Sequence, residues 1–216
     1  MLKILEKHPF ILELIEKIQN DYPNFDMTNF QSNLHFLEIE FGDIEDPKIF
    51  FKTKEQLIKI VLPQRVFNNY NPLCLTNQQK AMLTHELLHL SEPRPLPVSN
   101  ELAIGFLESY TEFLAESMYG NFKDPLHFNH YIYGVEFAVS LKQVLGDELT
   151  YLYSIAAIDQ IIDKLTVYGE KENIEKMFLN LSELFINRCS EKGLVLEQDI
   201  NATLSNIKNS ATNLKR

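Results

Sequence analysis

With 216 residues, 45% of them hydrophobic and 23% charged, the chain is long enough for one substantial domain or two small ones sharing a core. Its formal net charge of −10 leaves no basic stripe to displace counterions from a phosphate backbone, so nucleic acid is not an expected partner. Seven glycines and nine prolines are too few for a linker-rich chain, and no apolar run approaches the roughly eighteen residues of a membrane span.

The first stretch, MLKILEKHPFILELIEKIQNDYP, sets Ile4, Leu5, Phe10, Ile11, Leu14, Ile15 and Ile18 at helical spacing. It predicts an amphipathic helix over residues 3–20, interrupted near Pro9. Charges break what would be the apolar region of a secretory signal, and no small-residue cleavage site follows. The expectation is a cytoplasmic protein, unless it is exported by a route that needs no cleaved signal. NLHFLEIEFG, KIFFKT and LIKIVLP then read as three short strands, the last closed by Pro63. Together they predict a small mixed or antiparallel sheet over residues 33–63. Cys74 and Cys189 form no CxxC pair and are expected to be reduced thiols.

From Thr76 onward the pattern becomes helical. TNQQKAMLTHELLHLSEP opens with Thr76 and Gln79 at capping-box spacing and closes at Pro93. The next helix runs from near Ser99 to Gly120, a glycine suited to end it. Further helical segments are predicted over 127–145, 148–165 and 171–188, with a weaker one over 197–210; Gly146 and Gly169 mark breaks. The expected fold is α+β. Residues 1–75 supply an N-terminal helix and small sheet, and residues 76–216 a mainly helical half. The histidine-bearing helix lies at the junction of what would be one compact unit.

Within MLTHELLHLSE, His85 and His89 stand four residues apart, on one face of a helix, and both imidazoles can point at one ion. Glu86 is turned about 100° from His85, beside such an ion rather than on it, where a general base belongs. Zinc lowers the pKa of a bound water toward about 7, and Glu86 would take the proton as that water attacks a carbonyl. A leucine-rich core helix with histidines at its edge would show the same five letters. A catalytic zinc also needs a third protein ligand. Glu108, Glu112 and Glu116 recur every four residues on the following helix. Such a stripe is ordinarily a solvated face. Here Leu102, Ile104, Phe106, Leu107, Phe113, Leu114 and Met118 leave little of the circumference to solvent.

HELLH, followed nineteen residues after His89 by Glu108 in LESYTE, resembles the gluzincin zinc metallopeptidases of the thermolysin type. FLESYTEFLAE is similar to the NEGLTEYL form of many small bacterial members of that clan, and the likeness spans roughly residues 75–155. The resemblance implies a zincin-like fold, Zn2+ as cofactor, and hydrolysis of peptide bonds in a peptide or protein substrate. It implies His85, His89 and Glu108 as ligands and Glu86 as general base. It also gives Glu112 the part of a carboxylate that accepts a hydrogen bond from a ligand histidine. Two positions depart from the pattern: Leu107 stands where it has Asn, and Glu112 where it has Asp. A second register takes Glu112 as ligand with Glu116 behind it, and EFLAE then echoes the EFFAE helix of the lethal-factor-like peptidases. The spacing from HELLH favours Glu108.

An oxyanion donor is often a His or Tyr in this chemistry. LHFNHYIYG offers His127, His130, Tyr131 and Tyr133, of which His130 and Tyr131 are the expected donors. By analogy with such folds, LIKIVLP (57–63) is expected to be the edge strand along which a peptide lies. The alternative is a non-catalytic binding or regulatory protein on the same scaffold, against which the intact Glu86 argues.

Overall fold

The computed structural model describes residues 8–45, 47–52, 57–68, 71, 73–93, 100–120, 129–186 and 191–214. Within these segments the side chains of residues 52, 100, 129–132, 186 and 191–194 lie outside the description. The first helix, α1 (Pro9–Asp21), starts on a proline whose missing N–H costs nothing at a helix N-terminus. It buries Phe10, Ile11, Leu14 and Ile18, the 3.6-residue stripe of the sequence. Residues 1–7, the earlier part of the predicted helix, lie outside the described residues.

A short helix that the sequence reading did not anticipate, α2 (Thr28–Leu34), buries Phe30 and Leu34. Asp26 starts it, its carboxylate accepting from the Thr28 amide at 2.8 Å. The predicted first strand therefore loses Asn33 and Leu34 to this helix. Strands β1 (Leu37–Gly42), β2 (Lys48–Lys52) and β3 (Leu57–Pro63) form a mixed sheet in the order β1-β3-β2. β3 runs parallel to β1, with Leu37, Ile39 and Phe41 opposite Ile58, Ile60 and Leu62, and antiparallel to β2. Ile58, Ile60 and Leu62 are buried on one face. The other face carries the Lys59–Glu40 ion pair at 2.8 Å and the exposed Phe50, the alternation of a sheet covered on one side only.

That order corrects one expectation. LIKIVLP is the central strand, hydrogen-bonded on both sides, and the edges are β1 and β2. A short hydrophobic run suits a strand with one neighbour or with two, so its place in the sheet is decided by which strands pair with it.

Helix α3 (Asn77–Leu88) begins with both arms of the capping box: Gln79 N donates to Thr76 Oγ1 at 3.2 Å, and Thr76 N to Gln79 Oε1 at 2.9 Å. A 3₁₀ turn, His89–Ser91, continues it. After it come α4 (Asn100–Tyr119), α5 (Asn129–Leu145), α6 (Glu148–Ser154), α7 (Ile158–Leu165), α8 (Lys171–Ile186) and α9 (Glu191–Leu214). Gly120, at φ +91°, takes up the left-handed conformation just past α4.

The helix expected over 148–165 is two helices. Ala157 N bonds Leu152 O and Ala156 N bonds Tyr153 O, a Schellman end with Ala156 at φ +48°. No glycine announces this break. Conversely, the weak segment at 197–210 belongs to a 24-residue helix, α9, which buries Leu196, Ile200, Leu204, Ile207 and Ala211.

The architecture is thus α+β and mostly helical: nine α-helices and one three-stranded mixed sheet among the described residues. Packing divides the chain into two units, Met1–Pro93 with Leu114–Phe122, and Arg94–Phe113 with Lys123–Arg216.

In the first unit, Lys80 of α3 reaches Glu13 of α1 at 2.6 Å and sits 5.5 Å from the Tyr119 ring centre. Asn33 of α2 donates to the Leu90 carbonyl at 2.8 Å.

In the second, Phe106, Tyr110, Phe137, Tyr153 and Phe178 form an aromatic core whose phenols are hydrogen-bonded, Tyr110 to Thr150 at 2.8 Å and Tyr153 to Thr111 at 2.5 Å. Gly105 lets the α8 backbone come close: a Cβ there would stand 2.4 Å from Ser182 N. Among the described residues no helix is long and apolar enough to cross a membrane.

Candidate metal centre

Every side chain from Met82 to Glu92 is buried, so α3 and its 3₁₀ turn have no solvent face over this stretch. Four titratable groups lie in it: His85, Glu86, His89 and Glu92, none more than 7% exposed. Taking a carboxylate out of water costs several kcal/mol unless a partner or an ion compensates, on the order of the stability of a whole domain. A core helix of leucines alone would carry none of these groups.

The two histidines are oriented toward each other. Nε2 of His85 lies 3.4 Å from Nε2 of His89, with the rings meeting edge to face at 5.1 Å. Two nitrogens about 2.0–2.1 Å from one tetrahedral ion stand about 3.3 Å apart. The observed separation fits that spacing. At its other nitrogen, Nδ1, His89 meets the Glu92 carboxylate at 2.5 Å. When Nδ1 carries the proton it donates in this pair, and Nε2 is then the lone-pair atom.

Glu108, half-buried on α4, completes a group of three. One carboxylate oxygen of Glu108 and one ring nitrogen each from His85 and His89 all lie within 4.8 Å of one another. No other trio of His, Cys, Asp or Glu meets that spacing among the described residues. Two imidazoles and a carboxylate are a donor set suited to zinc. Glu86, 5% exposed, is the residue after the first of these histidines.

Glu112 and Glu116 follow Glu108 at successive turns of α4; both are half-buried and neither is in the group of three. Glu92, which was not among the residues expected from the sequence, places a carboxylate on the candidate ligand His89. Its signal was available, because His89 and Glu92 are three residues apart and neighbours on a helical surface.

His130 and Tyr131 lie in the first turn of α5 with side chains outside the described residues, and His127 is outside them altogether. Tyr133 is engaged elsewhere: its hydroxyl lies 3.2 Å from Asn201 Oδ1 and 3.3 Å from the Glu197 carbonyl, two acceptors for its one proton. Burial, with Glu197 and Glu136 nearby, pushes its pKa well above that of an ordinary phenol.

No family model, curated protein or solved structure matches the chain.

Proposed function

We propose that the chain is a zinc-dependent metallopeptidase with a zincin-like fold, as its resemblance to the thermolysin-type gluzincins implies. The observation that carries the reading is the buried convergence of His85 and His89 at 3.4 Å beside a carboxylate oxygen of Glu108. These three residues would hold the ion. Bound there, zinc supplies Lewis acidity, lowering the pKa of water and polarising a carbonyl.

The remaining work falls to protein side chains. Glu86 is the general base: it accepts the proton of the attacking water and returns it to the leaving amine, so no strong base is needed at neutral pH. Its burial removes competing water from the carboxylate and strengthens every charge interaction it makes. A peptide substrate that pairs with the sheet of this chain has the edges of β1 and β2 to use, not β3.

Metal analysis of the untagged protein by mass spectrometry, together with cleavage of a peptide library, tests the reading. About one zinc per chain and zinc-dependent cleavage are expected. A metal-free protein with no zinc affinity tighter than micromolar would overturn it. Zinc binding without cleavage of any peptide would instead leave a binding or regulatory protein.

A further inference from the structure

We infer that Glu92 is a positioning residue of this centre: it holds His89 as the Nδ1–H tautomer and so turns the Nε2 lone pair toward the metal. The inference rests on the metallopeptidase reading and adds one residue to it. The resemblance gave the carboxylate partner of a ligand histidine to Glu112 on the following helix. In this chain the carboxylate on His89 comes from the next turn of the same segment, 2.5 Å from Nδ1.

The local backbone explains the contact. At His89 the α-helix tightens into a 3₁₀ turn, in which residues three apart eclipse each other rather than being offset. His89 and Glu92 are such a pair. Pro93 disfavours helical dihedrals at Glu92, and Glu92 is extended at ψ 132°. The turn closes with Glu92 N donating to His89 O at 3.2 Å. Ser91 Oγ holds the Leu88 carbonyl at 2.8 Å, and Asn33 Nδ2 holds that of Leu90.

Both partners are buried, at 7% and 5% side-chain exposure, so water cannot easily substitute for the carboxylate. A carboxylate behind a ligand imidazole fixes the ring and raises its basicity as a donor, and losing it typically costs about 10- to 100-fold in metal affinity.

The test uses the full chain, wild type and the variants Glu92→Gln and Glu92→Ala. Nitrogen NMR of the metal-free protein reports the His89 tautomer, and competition with a chromophoric chelator reports zinc affinity. Cobalt(II) absorption reports the geometry of the site.

Wild type is expected to show His89 as Nδ1–H, Glu92→Gln to retain much of that tautomer through its amide oxygen, and Glu92→Ala to mix the two. Zinc affinity should fall about 10- to 100-fold in Glu92→Ala and less in Glu92→Gln. The cobalt spectrum should change in Glu92→Ala alone. An Nε2–H tautomer in wild type, or a Glu92→Ala variant that binds zinc like wild type, would overturn the role of Glu92 alone. A wild-type chain that binds no zinc would overturn the reading beneath it. Glu92→Gln, isosteric with the native residue, keeps the test decisive if Glu92→Ala does not fold.

Discussion

Nε2 of His85 and Nε2 of His89 lie 3.4 Å apart in a stretch where no side chain from Met82 to Glu92 is more than 8% exposed. Two imidazole nitrogens at this distance share either a proton or an ion. With a carboxylate oxygen of Glu108 nearby, the ion is the occupant in the proposed reading, since it would satisfy all three donors at once. Zinc should therefore stabilise the fold by linkage. At about 100 times its Kd an ion adds about 2.7 kcal/mol, which for a chain of this size is about 5–10 °C in Tm. His85→Ala should abolish that rise. Thermal denaturation of both proteins, chelated and zinc-loaded, checks it; an equal rise in the variant would place the ion elsewhere.

Glu86→Gln keeps the shape of the side chain and removes the base. Zinc content should stay at the wild-type level while peptide cleavage falls by about 10²–10⁴-fold. Parallel metal analysis and turnover measurements decide the matter. Loss of zinc in this variant would make Glu86 a ligand rather than a base.

At Gly105, α4 lies directly against the α8 backbone. Alanine is the better helix former by about 1 kcal/mol, which would make Gly105→Ala stabilising on an open helix. Here its methyl would meet Ser182 N at 2.4 Å and Leu181 C at 2.5 Å, both backbone atoms that cannot rotate away. The variant should lose about 1–3 kcal/mol, read from urea denaturation. A variant as stable as wild type would mean that α8 shifts freely.

His8, 7% exposed just before α1, has its pKa lowered from the ordinary 6.5 by burial. The folded state then binds this proton less readily than the unfolded state does. Stability attributable to His8 is complete above pH 6.5 and falls as the pH drops below it, through the lowered folded pKa. His8→Leu should lose less stability than wild type over that acid range. Denaturation curves of the two proteins at several pH values test this, and parallel profiles would exclude a contribution from His8.

Elements with a strong period or an explicit punctuation mark were legible in the sequence. The Thr76–Gln79 box set the start of α3 at Asn77, and Gly120 ended α4 where the glycine predicted. The break at Ala156 was not, because a left-handed cap there is held by two backbone hydrogen bonds rather than by a glycine. Helix α2 was missed because seven residues give too few turns for a period, and only Phe30 and Leu34 mark its buried side. Strand order was likewise beyond local pattern: LIKIVLP reads as hydrophobic whether it has one neighbour or two.

In the centre, His85, His89 and Glu108 were identifiable from residue type and spacing, and the structure places a donor atom of each within 4.8 Å of the others. Glu92 was not legible because HLSEP has the letters of a helix end, and it is the 3₁₀ tightening at His89 that brings residue 92 onto its ring.

The middle position of β3 also bears on how the sheet assembles. β1 and β2 precede it in the chain yet share no hydrogen bonds with each other; among the described residues each pairs only with β3. Neither earlier strand has a partner within this sheet until residues 57–63 are available. A chain growing from its N-terminus therefore carries two unpaired strands until Leu57–Pro63 emerges and inserts between them. The antiparallel β2–β3 ribbon, joined by the shorter connection, is the pair that loop closure favours first. β1 then docks in parallel from farther back in the chain, making the last strand synthesised the one on which both others depend.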